Sequence, residues 1–205
     1  MPTTSLIING CVAVLSVVAW LMLAFGVGDP DHLAARGFES LKYFTVLSNL
    51  LAGVACAITA FFYLSMVELP TWDVTLKLAA TTSVTLTFIT VIVLLGPNLG
   101  WKGMYTGGNL LMHLVLPLLA LVDLILFIPV GRLPLWATLA SMLPCALYGI
   151  WYTRNVYVHG TRKGDKVYDF YGFLRWGWGK VPYLFVGMLA FVQVVALILW
   201  FCGRA

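Results

Sequence analysis

Thr45, Ser48 and Asn49 recur at i, i+3 and i+4 within an otherwise apolar stretch, a spacing that sets all three on one face of a helix. Further along, Asn109 and His113 stand four residues apart and share a face in the same way. A threonine hydroxyl is unreactive until a neighbour accepts its proton, and imidazole is the side chain best suited to that task near neutral pH. Thr45 with His113 is therefore the minimal nucleophile and base pair in this chain. The same residue types also make ordinary hydrogen bonds between membrane helices, so spacing alone leaves a catalytic and a structural reading open. Asp123 is the other acid-base group deep in an apolar run. It lies about 15 Å along the axis from His113 and is rotated off that face, so it does not orient the imidazole directly.

The elements that must hold these residues follow from composition. Of 205 residues, 61% are apolar and only 10% are charged, a balance that no water-soluble core of this size could hide. Apolar runs cover 6–27, 44–65, 75–95, 109–128, 133–153 and 182–201, each about 30 Å long as a helix. Lipid offers backbone groups no partner, and no run alternates with period two as a barrel strand would. The expectation is an all-α membrane protein, one domain over 1–205, folded as a bundle of six transmembrane helices. Met1 to Ser5 lacks the basic opening of a secretory signal, so the first run reads as a retained span.

Helices two and four would both enter from the odd-numbered loops, so Thr45 and His113 each sit about one turn, roughly 5 Å, below the same interface. They come within reach if those two helices are neighbours. Two helix N-termini on that side would favour an anion, whether a carboxylate or a developing oxyanion.

Turn residues punctuate the connections: Gly28-Asp29-Pro30, Leu69-Pro70-Thr71, Gly96-Pro97-Asn98, and Gly131 with Pro134. Trp72, Trp101, Trp136, Trp151, Trp176 and Trp178 fall near span ends, where indole favours the membrane interface. Loops one, three and five carry Arg36, Lys42, Lys102, Arg154, Arg162, Lys163, Lys166, Arg175 and Lys180, against Lys77, Arg132 and Arg204 on the other side. By the positive-inside rule the odd loops face the cytoplasm. Cys11, Cys56, Cys145 and Cys202 form no CxxC pair and read as small core residues, with neither a disulfide framework nor a zinc site. The hydroxyls of the third run, among them Thr75, Thr81, Thr82, Ser83, Thr85, Thr87 and Thr90, are expected to bond back to their own helix. His32 and His159 read as solvated loop residues.

Several ordered segments resemble one family, the androgen-induced membrane proteins and their prokaryotic six-helix relatives, which include threonine hydrolases of fatty acid esters of hydroxy fatty acids. Lys42-Tyr43-Phe44-Thr45 is similar to the segment bearing the family's nucleophile. Asn109-Leu110-Leu111-Met112-His113, with Leu116-Pro117 and Asp123 after it, is similar to the segment bearing its histidine. Tyr148 to Trp151 and Val167-Tyr168-Asp169-Phe170-Tyr171-Gly172-Phe173-Leu174 resemble the aromatic stretch before the last helix. Two departures stand out: Asp169 replaces a common proline, and Ser48-Asn49 differs from the animal members.

The resemblance implies Thr45 as nucleophile, His113 as general base, no cofactor, a lipid or fatty-acid ester as substrate and the cell membrane of a prokaryote as location. Asn109, Ser48, Asn49, Tyr43, Asp123, Tyr168 and Tyr171 are the supporting or substrate-lining candidates, with the tyrosines as oxyanion donors. Nothing in the chain points to nucleic acid or to a metal. A reading from another class is a small proton-coupled carrier using Asp123 and His113, although no two-fold repeat accompanies it. A bis-histidine haem site would need a second intramembrane histidine beside His113.

Overall fold

The computed structural model describes residues 3–28, 36–164 and 166–203. His32, the Asp29-Pro30 turn and Arg204 lie outside these. Among the described residues five helices are long and apolar enough to cross a membrane: α1 (Thr3–Phe25), α2 (Phe44–Leu64), α3 (Thr71–Asn98), α4 (Gly107–Phe127) and a final span, Trp178–Cys202. The expected all-α membrane bundle is what this chain forms. Among the described residues the only strands are a short hairpin, β1 (Arg162–Lys163) antiparallel to β2 (Lys166–Val167).

The fifth expected span, 133–153, is not continuous. One turn, Ala137–Ala140, precedes a break, and the helix resumes as α5 (Leu143–His159), 17 residues long. Pro144 accounts for the break, because it offers no N–H to the Ala140 carbonyl and its ring crowds that oxygen. α5 then runs past Thr153 and stops at Gly160, whose φ of 75° suits glycine. The last helix, α6, has its regular part over Val181–Cys202.

Two other prolines are absorbed rather than breaking their helices. Pro97 in α3 and Pro117 in α4 each follow a π-turn, Val91–Leu95 and Leu111–Val115. There the N–H groups of Gly96 and Leu116 reach back to the carbonyls of Val91 and Leu111. Widening one turn moves the preceding carbonyls away from the ring. Gly96-Pro97-Asn98, expected as a loop, is therefore helical, and the chain turns at Gly100 (φ 92°).

α3 is the central helix: it is buried from Leu78 to Val84 without interruption, and it packs on α2, α4, α5 and α6. α1 turns Ser5, Asn9, Val12, Ser16, Ala19 and Leu23 inward, at steps of three and four. Small residues bring the helices close. A Cβ on Gly53 of α2 would fall 1.9 Å from the Ser16 Oγ, and one on Gly108 of α4 would fall 2.8 Å from the Ala19 carbonyl oxygen.

A buried ion pair ties four of these helices together. Lys77, grouped above with the loops, is instead 1% exposed in the core. Its Nζ lies 2.9 Å from the Asp123 Oδ2 and also donates to the Cys56 Sγ at 2.8 Å and to the Asn9 Oδ1. Asp123 accepts further bonds from the Ser5 Oγ at 2.6 Å and the Asn9 Nδ2 at 2.9 Å. α1, α2, α3 and α4 each contribute. Asp73, one turn before Lys77, is buried as well and accepts from the Thr59 Oγ1 at 3.1 Å.

Of the four cysteines, Cys56 and Cys145 are core residues as expected, but Cys11 and Cys202 lie on the outer surface. All six tryptophans named above are exposed, as residues of an interfacial belt should be.

Removing one partner of a buried ion pair strands the other charge. Asp123→Asn and Lys77→Met are each expected to destabilise the protein by about 3–5 kcal/mol, whereas Lys77→Met with Asp123→Leu regains most of that loss. Thermal unfolding of the three variants in one detergent tests this, and equal losses in the double variant would refute the pairing.

Candidate active site

His113 lies inside the π-turn of α4, is 6% exposed, and holds the Met104 carbonyl oxygen 3.0 Å from its Nδ1. A carbonyl only accepts, so Nδ1 carries the hydrogen and, in the neutral ring, Nε2 is left as the acceptor. The group that orients the imidazole is thus a backbone carbonyl from the one-turn helix Trp101–Met104. Asn109, a supporting candidate named from sequence, donates from its Nδ2 to the Gly103 carbonyl at 3.1 Å. It therefore shapes the same turn whose next carbonyl meets His113. The π-turn itself arises because Pro117 stands four residues after His113 and supplies no N–H to the His113 carbonyl. Single wide turns of this kind are frequent at functional sites.

Helices two and four are neighbours. The Asn49 Nδ2 donates to the Thr45 carbonyl at 2.8 Å and to the Met112 carbonyl at 3.1 Å. One side-chain amide thus links the backbone of Thr45 to the residue beside His113. The Asn49 Oδ1 is buried and accepts no hydrogen bond among the described residues. Thr45 is half-buried in the first turn of α2, and among the described residues its hydroxyl makes no hydrogen bond. Ser48 differs: its Oγ is committed to the Thr45 carbonyl at 3.1 Å and to the Thr87 Oγ1 at 3.2 Å.

A groove of about 470 Å³ opens between α2 and α5. Leu41, Phe44, Leu47 and Leu51 form one wall, Pro144, Leu147 and Trp151 the other, and Ser48 and Tyr148 also line it. No family model, characterised protein or solved structure matches this chain. The site is therefore judged on its own geometry.

An aromatic latch fixes the entry to α2. The Phe44 N–H, which a helix start leaves without an internal partner, donates to the Tyr171 hydroxyl at 3.0 Å, and the Tyr148 hydroxyl donates to the Lys42 carbonyl at 2.6 Å. Tyr43 packs edge-on against Phe170, and the Lys42 ammonium lies 5.4 Å from both ring centres. Asp169 explains its own place in the sequence: it accepts the Phe173 N–H at 2.9 Å, the Leu174 N–H at 3.0 Å and the Tyr152 hydroxyl. A proline there could provide none of this. Tyr168 stacks on His159 at 4.7 Å, and Asp123 belongs to the ion-pair cluster with Lys77.

The third helix behaves largely as expected, with Thr75, Ser83, Thr85 and Thr87 bonded to carbonyls four residues earlier. Two features escaped sequence reading. The Met104 carbonyl is a backbone group and leaves no trace in residue type. Lys77 did leave one, since a lysine three residues into an apolar run, one helical turn after Asp73, signals a buried charge network.

Burial pushes the Tyr171 hydroxyl up to about 12, and burial followed by the nearby Glu39 carboxylate raises that of Tyr43. The folded latch thus favours the neutral phenol. Its contribution is complete below the ordinary tyrosine value of about 10 and is lost as the pH rises through about 12. The melting temperature should fall over that interval in the wild type and fall less steeply in Tyr171→Phe; parallel curves would refute the latch.

Proposed function

We propose that this protein is an intramembrane ester hydrolase in which Thr45 is the nucleophile and His113 the general base. The observation that carries the reading is the Nδ1–H bond from His113 to the Met104 carbonyl, which leaves Nε2 as the proton acceptor. The unengaged Thr45 hydroxyl and the Asn49 bridge to Met112 support it from the side of α2. The apolar groove, whose walls suit a lipid chain, runs beside Phe44 and Ser48 on the same helix, and neither Thr45 nor His113 lines it.

In this mechanism His113 accepts the Thr45 proton as Oγ1 attacks the ester carbonyl. The C–O bond to the leaving alcohol breaks, and His113 returns the proton to that oxygen. A water, deprotonated by the same imidazole, then attacks the acyl-threonine and releases the fatty acid and the free hydroxyl. The free Asn49 Oδ1, on the side chain that joins the Thr45 and Met112 carbonyls, is an acceptor for the hydrogen of a water or an alcohol. The substrate class that follows is a lipid ester already dissolved in the bilayer, of which a fatty acid ester of a hydroxy fatty acid is one. The excess of Lys and Arg on the odd-numbered loops supports a cytoplasmic opening. A proton-coupled carrier finds less support, because Asp123, its titrating group, is engaged by Lys77, Ser5 and Asn9.

Purified protein should be labelled by a fluorophosphonate probe and should cleave a fluorogenic long-chain ester in nanodiscs. Thr45→Ala should abolish both signals and His113→Ala should reduce hydrolysis by about 10²–10⁴-fold, while Ser48→Ala retains labelling. Full activity in Thr45→Ala would overturn the assignment.

A further inference from the structure

A second group of buried polar side chains lies where α3, the break before α5, and α6 meet. Leu78, Ala137, Val195 and Leu199 form part of one apolar cluster, and Leu86, Cys145 and Val192 form another. On α3 the residue midway between Leu78 and Leu86, at i+4 from the first and i−4 from the second, is Thr82. Along the fifth segment, Ser141 stands midway between Ala137 and Cys145 in the same manner. On α6 the corresponding level, between Val192 and Val195, includes Gln193. Spacing thus sets Thr82 and Ser141 in one layer, closed above and below by apolar side chains, and Gln193 is brought to that layer by its bond to Thr138.

Their hydrogen bonds are incomplete. Thr82 and Ser141 are each 0% exposed. Among the described residues neither the Thr82 Oγ1, the Ser141 Oγ nor the Gln193 Oε1 has a hydrogen-bond partner. The Gln193 Nε2 is used, donating to the Thr138 Oγ1 at 2.9 Å, and Thr138 donates in turn to the Leu135 carbonyl at 2.7 Å. That bond places the Gln193 amide one turn from Ser141. Three orphaned polar atoms in one apolar layer would each carry an uncompensated desolvation cost. Pro144 adds a fourth incompletely served group, the Ala140 carbonyl, to which it offers no N–H.

We infer that this junction is a binding site for one water molecule, held at the break in the fifth segment by Thr82, Ser141 and Gln193. A water matches the set: it donates to the Gln193 Oε1 and to a backbone carbonyl at the break, and accepts from the two hydroxyls. The site is independent of the esterase reading and remains if that reading fails.

The test rests on a sign. If the hydroxyls are unpaired, replacing them with apolar groups of similar shape raises the melting temperature; if they hold a water, the same change lowers it. Thr82→Val and Ser141→Ala in nanodiscs should each lower it, and the double variant should lose less than the two losses combined, since both anchor one molecule. A rise in either single variant, or full additivity, overturns the proposal. Exchange of sodium for choline should leave the wild-type midpoint unchanged; a sodium-dependent rise would overturn water in favour of a cation. Should the variants fail to fold, X-ray radiolysis of the wild type in ¹⁸O water decides: label at buried Leu78 and Cys145 is expected, and its absence refutes a bound water.

Discussion

A charge that lipid would not tolerate organises this bundle. Lys77 enters the core from α3 and meets Asp123 from α4, with Ser5 and Asn9 of α1 and Cys56 of α2 completing the set. In a bilayer, apolar packing gives helices little reason to prefer one neighbour over another, because lipid tails are as apolar as leucine. A buried ion pair does provide a preference. It fixes the rotation of α3 and α4 about their axes, and the close approaches at Gly53 and Gly108 then fix how near α2 and α4 come to α1. The hydroxyl-rich face of α3 and the inward face of α1 follow from that arrangement.

The candidate chemistry occupies the opposite half of the same helices. There backbone groups serve where side chains might have been expected: a carbonyl at Met104 orients His113, and carbonyls at Thr45 and Met112 share the Asn49 amide. Tyr171 of the long fifth loop and Tyr148 of α5 hold the chain just before Thr45, and Asp169 ties the loop to itself and to α5. One end of the bundle is thus locked by charge and the other by aromatic rings and main-chain hydrogen bonds. The second has a groove open between α2 and α5.

Much of this architecture is written in residue type. Long apolar runs, interfacial tryptophans and the i, i+3, i+4 stripe on α2 are local signals, and the helices and faces they imply are present. What escapes a linear reading is set by relations between distant residues or by the backbone. Pro144 breaks its helix whereas Pro97 and Pro117 do not, and the difference lies in whether a preceding turn can widen. Lys77 carries a local signal one turn after Asp73, but its partner Asp123 is set only when α3 and α4 pack. Cys11 and Cys202 look like core residues because an apolar span does not reveal which of its faces meets lipid.

The wide turn at Leu111–Val115 has a consequence for chain length. Such a turn is a regular helix with one residue inserted, so every position after it sits about 100° and 1.5 Å away from where an uninterrupted α-helix would put it. Asp123 faces Lys77 only because of that offset. Between the imidazole and the carboxylate the helix therefore tolerates substitution more readily than insertion or deletion: a single residue gained or lost would turn one of the two away from its partner. The separation of His113 from Asp123 is a count that the fold keeps.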